Sequence, residues 1–242
     1  MKYSVLCFAY IAASLYFYHK KVLPSSVSDI PDGYMQRIVI SDDHAMISMM
    51  FGMWLQQLAL DATVVATPTT GQATLEAVRE YMPDVLIQDM MLRDMDGVLV
   101  IRQIRQEFPS MKILAITAKP AYAKAALELG VDGCMLKEDR PQVLKDALIW
   151  NRANGQWVSP VLQQRLHHAR MVYQQYDFSG EEEQILRLLH LSNGEIARKL
   201  NISEVSVRSA LTKLYRKVGV LTRADLADLA YNVLLLSPLY PS

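Results

Sequence analysis

P-D-V-L-I-Q-D-M-M-L-R-D-M-D-G, residues 83–97, is the stretch that decides the fold. Val85-Leu86-Ile87 is a short apolar run rich in β-branched residues, entered through Pro83-Asp84, and it reads as a strand buried on both faces. Asp89 stands at its end, where a buried parallel strand offers its C-terminal tip to ligands. Asp96-Gly97 then turns the chain, and a helical pattern starts at Val98. A lone aspartate at a strand end is most often only the place where the strand stops. Here a second acidic site, Asp42-Asp43, follows another short strand at residues 37–40. Two strand ends that both carry carboxylates form one acidic pocket, which repels itself unless a cation sits in it.

Working outward, strand and helix alternate. Strands are expected at residues 38–40, 63–66, 85–87, 113–116 and 134–136, and helices at 45–58, 71–81, 98–107, 121–129 and 141–152. Five β/α units with short connections make an α/β domain: a five-stranded parallel, flavodoxin-like sheet with helices on both faces. Ligand sites in such sheets lie at the C-terminal ends of the strands. Asp42, Asp43, Asp89, Thr117 and Lys137 all fall on that edge.

Composition narrows the class less. Lys+Arg and Asp+Glu both number 25 in 242 residues, so net charge points to neither a nucleic acid nor a membrane. Cys7 and Cys134 are far apart and lack metal-ligand spacing, which fits a reduced, cytoplasmic protein. No Gly-rich phosphate loop, H-E-x-x-H or G-x-S-x-G motif is present. Residues 1–34 stand apart as an N-terminal extension: Tyr3 to Tyr18 carries no charge and is closed by His19-Lys20-Lys21. The run is shorter than the ~20 residues of a membrane span and lacks a small-residue cleavage site. Three readings stay open: a short anchor with the bulk of the chain cytoplasmic, a signal segment, or a start at Met35 with strand one directly behind it.

After the α/β domain, assigned to residues 35–152, residues 153–176 read as a linker, with a short helix at 160–166 and then the polar run 163–175. Residues 177–242 read as a small all-α domain. Gly180-Glu181-Glu182-Glu183 puts negative charge on a helix N-terminus, where the dipole favours it. S-N-G-E-I-A-R-K-L-N-I-S-E-V-S-V-R-S-A-L, residues 192–211, reads as a helix capped by Ser192, a turn at Asn201-Ile202-Ser203 and a longer helix to about Val218. Helix pairs of this shape also occur as plain core. The charge decides between the readings: Arg198, Lys199, Arg208, Lys213, Arg216, Lys217 and Arg223 stand against Glu204 alone, a local basic surface suited to phosphates.

Residues 37–152 resemble the receiver domain of bacterial two-component response regulators, through Asp42-Asp43, D-M-M-L-R-D-M-D-G at Asp89, Thr117-Ala118, and Lys137 after G-C-M-L. The resemblance implies Asp89 as phosphoryl acceptor, with Mg²⁺ held by Asp42, Asp43, Asp89 and the Met91 carbonyl, and with Thr117 and Lys137 on the phosphoryl oxygens. Hard oxygen donors suit that cation. The chain departs from the family at Arg93, where proline is usual, at the polar Gln88, at Cys134 in place of an aromatic, and at Glu138 after the lysine. Residues 177–236 resemble the DNA-binding domain of the NarL/LuxR class, although the connection His190-Leu191-Ser192 is two residues shorter than usual. That resemblance implies base reading by Arg208, Ser209 and Thr212, with Lys199, Ser203, Lys213 and Lys217 completing the DNA-contacting set.

The combined reading is a phosphorylation-controlled transcriptional regulator. It is served by a sensor histidine kinase, binds double-stranded promoter DNA as a homodimer when active, acts near RNA polymerase, and is itself no enzyme beyond self-catalysed phosphoryl chemistry. Two alternatives share the motifs. One is a DNA-binding regulator whose receiver fold only dimerises, independent of phosphate, for which Gln88 and Arg93 speak. The other is a receiver-fold enzyme acting on a small phosphorylated substrate, which leaves the basic helix pair without a role.

Overall fold

The computed structural model describes residues 35–58 and 60–234. The expectations for residues 1–34, Cys7 included, lie outside the described residues. No helix among the described residues is long and apolar enough to cross a membrane. The described chain falls into two compact units: one runs to Ala118 and resumes at Ala126–Ser159, and the other takes Lys119–Ala125 and everything from Pro160 onward.

The first unit is built on strands β1 (Gln36–Ser41), β2 (Ala62–Ala66), β3 (Val85–Asp89), β4 (Lys112–Thr117), β5 (Gly133–Leu136) and β6 (Trp157–Val158). They pair in parallel in the order β2-β1-β3-β4-β5-β6. The five expected strands are present. The sixth is an addition that two residues could not announce by pattern: it follows Gly155, at φ 87°, and pairs Trp157 with Gly133. Helices α1 (Ala45–Gln57), α2 (Gly71–Tyr81), α3 (Gly97–Glu107), α4 (Pro120–Glu128) and α5 (Pro141–Ile149) connect the strands. β3 and β4 are buried along their whole length, which is why Val85-Leu86-Ile87 and Ile113–Ile116 read as unbroken apolar runs. On one face Ile38, Ile40, Val85, Ile87, Leu114, Ile116 and Met135 pack with Phe51 and Leu55 of α1 and Leu144, Ala147 and Leu148 of α5. α5 ends at Ile149 rather than continuing to 152. The Lys112 ammonium caps it, donating to the Leu148 carbonyl at 2.6 Å and the Trp150 carbonyl at 3.1 Å.

The second unit contains α6 (Pro160–Tyr176), α7 (Gly180–Arg187), α8 (Asn193–Leu200), α9 (Glu204–Val218), α10 (Arg223–Asp228) and a π turn at Leu229–Val233. The linker expectation is corrected here in its secondary structure. α6 is one helix of 17 residues, and the polar run 163–175 lies inside it. Its Val172, Tyr173 and Tyr176 pack against the core of α7 to α10, with the Tyr173 hydroxyl donating to Glu183 at 2.6 Å. Those contacts are long-range, so the polar stretch gave no local sign of them. Serine or threonine caps start the other helices. Ser179 with Glu182, Ser192 with Glu195 and Thr222 with Asp225 each form a capping box.

Candidate functional site

In the sheet order, β1 and β3 are neighbours although β2 lies between them in sequence, so the chain reverses its winding direction at that pair. Ligands collect at such a switch point, beyond the C-terminal ends of the strands. Asp42 and Asp43 follow β1, Asp89 ends β3, Thr117 ends β4 and Lys137 follows β5. Every receiver-type residue named from sequence therefore stands on one edge.

The contacts there are between charges withdrawn from water. Asp42 is fully buried and Asp89 is 2% exposed. Lys137 Nζ donates to Asp89 Oδ2 at 2.8 Å and lies 2.6 Å from Asp42 Oδ2, bridging the two carboxylates. Burial pushes the Asp89 carboxyl up to about 6, against the pull of Lys137. Burial also draws the Lys137 ammonium down, but its close contacts with Asp42 and Asp89 outweigh that and leave its pKa raised. The Met91 amide donates to Asp89 Oδ1 at 3.2 Å, and the His44 amide to Asp42 Oδ1 at 2.9 Å. Asp43 meets different partners: Arg93 Nε at 3.1 Å from its Oδ2 and His44 Nδ1 at 2.6 Å from its Oδ1. Thr117 is buried at the end of β4, where its carbonyl accepts the Lys137 amide at 3.0 Å.

The donor set suits a divalent cation. Ligand atoms of Asp42, Asp43 and His44 lie within 4.8 Å of one another, and Asp42 Oδ2 and Asp43 Oδ1 are buried oxygens that lie 2.6 Å from Lys137 Nζ and His44 Nδ1, respectively, without hydrogen-bond geometry. Such oxygens are what a hard cation satisfies.

The loop beyond Asp89 is held at several points. Asp94 accepts the Gly71 and Gln72 amides at 2.8 and 3.2 Å, at the N-terminus of α2. Met91 bridges Asp96, and Asp96 caps α3 through the Val98 amide at 2.9 Å. Gly97 is required: a Cβ there would lie 2.6 Å from the Asp89 carbonyl oxygen. Gln88 is buried, donates from Nε2 to the Asp89 carbonyl at 2.6 Å, and leaves Oε1 without a partner. Cys134 is also buried, and burial pushes its thiol up to about 12.

In the second unit α8 and α9 form the helix-turn-helix. Asn201 makes the turn in the left-handed conformation at φ 53°, and Ser203 caps α9 by accepting the Ser206 amide. Val207, Leu211 and Leu214 of α9 are buried, whereas Arg208, Ser209, Thr212 and Lys213 are exposed on the helix, as is Lys199 on α8. Lys199 and Lys213 have no ion pair among the described residues. Among the other basic residues of the sequence cluster, two are held by several contacts each. Arg223 clamps the short connection before α8, donating to the Leu189 and Leu191 carbonyls and to Asn193 Oδ1. Lys217 pairs with Glu182 at 2.6 Å and donates to the Asp177 carbonyl at 2.8 Å. Sequence reasoning also passed over Val205, which is 67% exposed on the turn of α9 preceding Arg208 and Ser209. Helical numbering from the buried stripe would have found it.

A parallel α/β receiver fold followed on the same chain by a basic helix-turn-helix defines a class of signal receivers that bind DNA. The family model of the response regulator receiver domain matches residues 38–149, and that of the bacterial regulatory proteins of the luxR family matches residues 177–230. Over 204 residues the chain is 30% identical to the nitrate/nitrite response regulator protein NarP of Escherichia coli (strain K12), covering 80% of this chain and 94% of NarP. It is 27% identical to the response regulator protein VraR of Staphylococcus aureus, over 81% of this chain and 96% of VraR. RcsB from Salmonella enterica serovar Typhimurium, bound to promoter rprA in the presence of phosphomimetic BeF3−, matches with a TM-score of 0.57 at 27% identity, covering 82% of this chain and 99% of that one. A structure of two RcsB dimers bound to two parallel DNAs matches with a TM-score of 0.59 at 26% identity, over 80% of this chain and 97% of that one. The chain belongs to the two-component response regulators with a LuxR-type helix-turn-helix: it is a DNA-binding transcription regulator, of a family that are not enzymes.

Proposed function

We propose that Asp89 accepts a phosphoryl group from a sensor histidine kinase and that this controls DNA binding by α9. The observation that carries the reading is Lys137, held at 2.8 Å from Asp89 and 2.6 Å from Asp42 at the mouth of β3. A carboxylate oxygen of Asp89 attacks phosphorus, the bond from phosphorus to the imidazole nitrogen of the donor breaks, and that nitrogen keeps the electron pair. Lys137 stays beside the acceptor and takes up charge on the phosphoryl oxygens, and the Thr117 hydroxyl is the hydrogen-bond donor on the neighbouring strand. Mg²⁺ held by Asp42, Asp43, Asp89 and the Met91 carbonyl would offset the charge of the incoming group.

The acyl phosphate biases the receiver between two packings and favours a homodimer. α9 then enters the major groove, with Arg208, Ser209 and Thr212 toward the bases and Lys199, Ser203 and Lys213 toward the backbone. The expected setting is the cytoplasm, at promoters where RNA polymerase acts. Residues 35–152, 153–176 and 177–242 serve as receiver, connector and DNA-binding domain.

The test is incubation of the full chain with acetyl phosphate and Mg²⁺. One base-labile phosphate per chain is expected, absent from Asp89→Asn, and undiminished labelling of that variant sinks the assignment. A second reading, DNA binding without phosphate control, draws on Arg93: this protein meets Asp43 with its own cation. An unlabelled wild type that binds DNA would favour it.

A further inference from the structure

We propose that Arg93 is a phosphoryl-binding arm, whose guanidinium exchanges Asp43 for the anionic oxygens brought to Asp89. The inference rests on Asp89 as the acceptor and assigns a second cation to that site. It starts from an imbalance among the carboxylates. Lys137 serves Asp42 and Asp89 together, which leaves Asp43 to the loop residue Arg93 and to His44. A divalent cation on Asp43 competes with Arg93 for the same carboxylate. Once displaced, the guanidinium remains a positive charge at the rim of the pocket.

The loop suits an arm that moves on a base that does not. Asp94 ties it to the N-terminus of α2, Met91 to Asp96, and Asp96 to α3. Met95 packs against Gly71 so closely that a Cβ at Gly71 would come within 2.7 Å of the Met95 Cβ. The Arg93 side chain itself is 76% exposed, against 10% for Asp43. An ion pair with so exposed a partner is weak and readily exchanged. Only Nε is engaged, so both Nη groups are without a protein partner among the described residues. A planar fork of donors matches phosphate oxygens better than it matches one carboxylate oxygen. A proline at this position offers no donor at all.

The signature is a pair of effects of opposite sign, which a merely structural residue would not produce. Mn²⁺ binding to the full chain is measured by electron paramagnetic resonance of the free ion. Beryllofluoride binding is measured by calorimetry at saturating Mn²⁺. In Arg93→Gln the Mn²⁺ dissociation constant should fall about threefold, because a competitor is gone. The beryllofluoride constant should rise about tenfold, because a charged donor is gone. Arg93→Lys keeps the charge without the fork, so it should bind Mn²⁺ as the wild type does and hold beryllofluoride with intermediate strength. Constants that move together, or that do not move, overturn the arm while leaving Asp89 intact as long as acetyl phosphate still labels it. Wild-type protein that neither binds beryllofluoride nor labels at Asp89 overturns the site reading and the arm together.

Discussion

The two units handle charge in opposite ways. At the C-terminal edge of the sheet, carboxylates of Asp42 and Asp89 are taken out of water and held by a lysine that is itself only 13% exposed. On α9 the charges stand in solvent: Arg208 is 61% exposed and reaches no closer than 3.8 Å to Glu204. Buried charge is costly, persists only where partners compensate it, and so fixes a geometry. Exposed charge costs little and fixes none until a partner arrives. The receiver edge is therefore fixed in geometry before any partner arrives, whereas the helix-turn-helix carries an electrostatic footprint that is not fixed.

The largest expected effect breaks the buried side of that comparison. Lys137→Ala leaves Asp42 and Asp89 facing each other without their shared cation, at a cost of about 3 kcal/mol in chelator. Added Mg²⁺ should return more of that loss to the variant than it adds to the wild type, since a ligand of the folded state stabilises by its own binding. Chemical denaturation of the full chain with and without Mg²⁺ measures both. Equal gains in the two proteins would mean that the carboxylates are not a shared cation site. Labelling by acetyl phosphate should fall at least about a hundredfold, because Lys137 is the one side-chain cation paired with Asp89 among the described residues.

The exposed side is sharpened by two substitutions on one helix. If Arg208 reads guanine as proposed, Arg208→Ala should lose about 2 kcal/mol at one base position of the selected site. Lys213→Ala should weaken every sequence alike and reduce the salt slope by about one. Selection from random DNA followed by salt titration separates them. Should Arg208→Ala leave both preference and affinity untouched, α9 does not read the groove with this face.

The same contrast governs what the sequence made legible. Strand ends with carboxylates, the D-G before α3 and the serine caps are local signals, and each is found where the pattern put it: Gly97 against the Asp89 carbonyl, Ser192 and Ser203 on their helices. Long-range compensation was not legible. α6 read as polar linker because Tyr173 and Tyr176 find their partners only in the folded helical unit. Arg93 read as a missing proline because Asp43 lies 50 positions away in the chain. Gln88 read as an oddity in an apolar strand for a local reason instead: its side chain turns to donate to the carbonyl of the next residue, Asp89, which residue type alone does not reveal. Residue type says that a charge exists, but only packing says which charge it spends.

Lys217 puts that lesson to the smallest and most discriminating test. By its place in a basic cluster it belongs with the phosphate contacts, yet its ammonium is 2.6 Å from Glu182, 2.8 Å from the Asp177 carbonyl and 5.3 Å from the centre of the Phe178 ring. Glu182 is in turn the capping-box residue of α7, so the pair ties the end of α9 to the start of α7. Each contact is partly exposed and individually weak, and together they are worth about 1 kcal/mol. Lys217→Ala should therefore speed amide exchange in α7 and at the end of α9 in the full chain, and leave the salt slope of DNA binding at its wild-type value. Lys213→Ala should do the reverse. If Lys217→Ala flattens the salt slope without loosening α7, the lysine lets go of Glu182 when DNA is present, and its charge belongs to the exposed, ligand-seeking set after all.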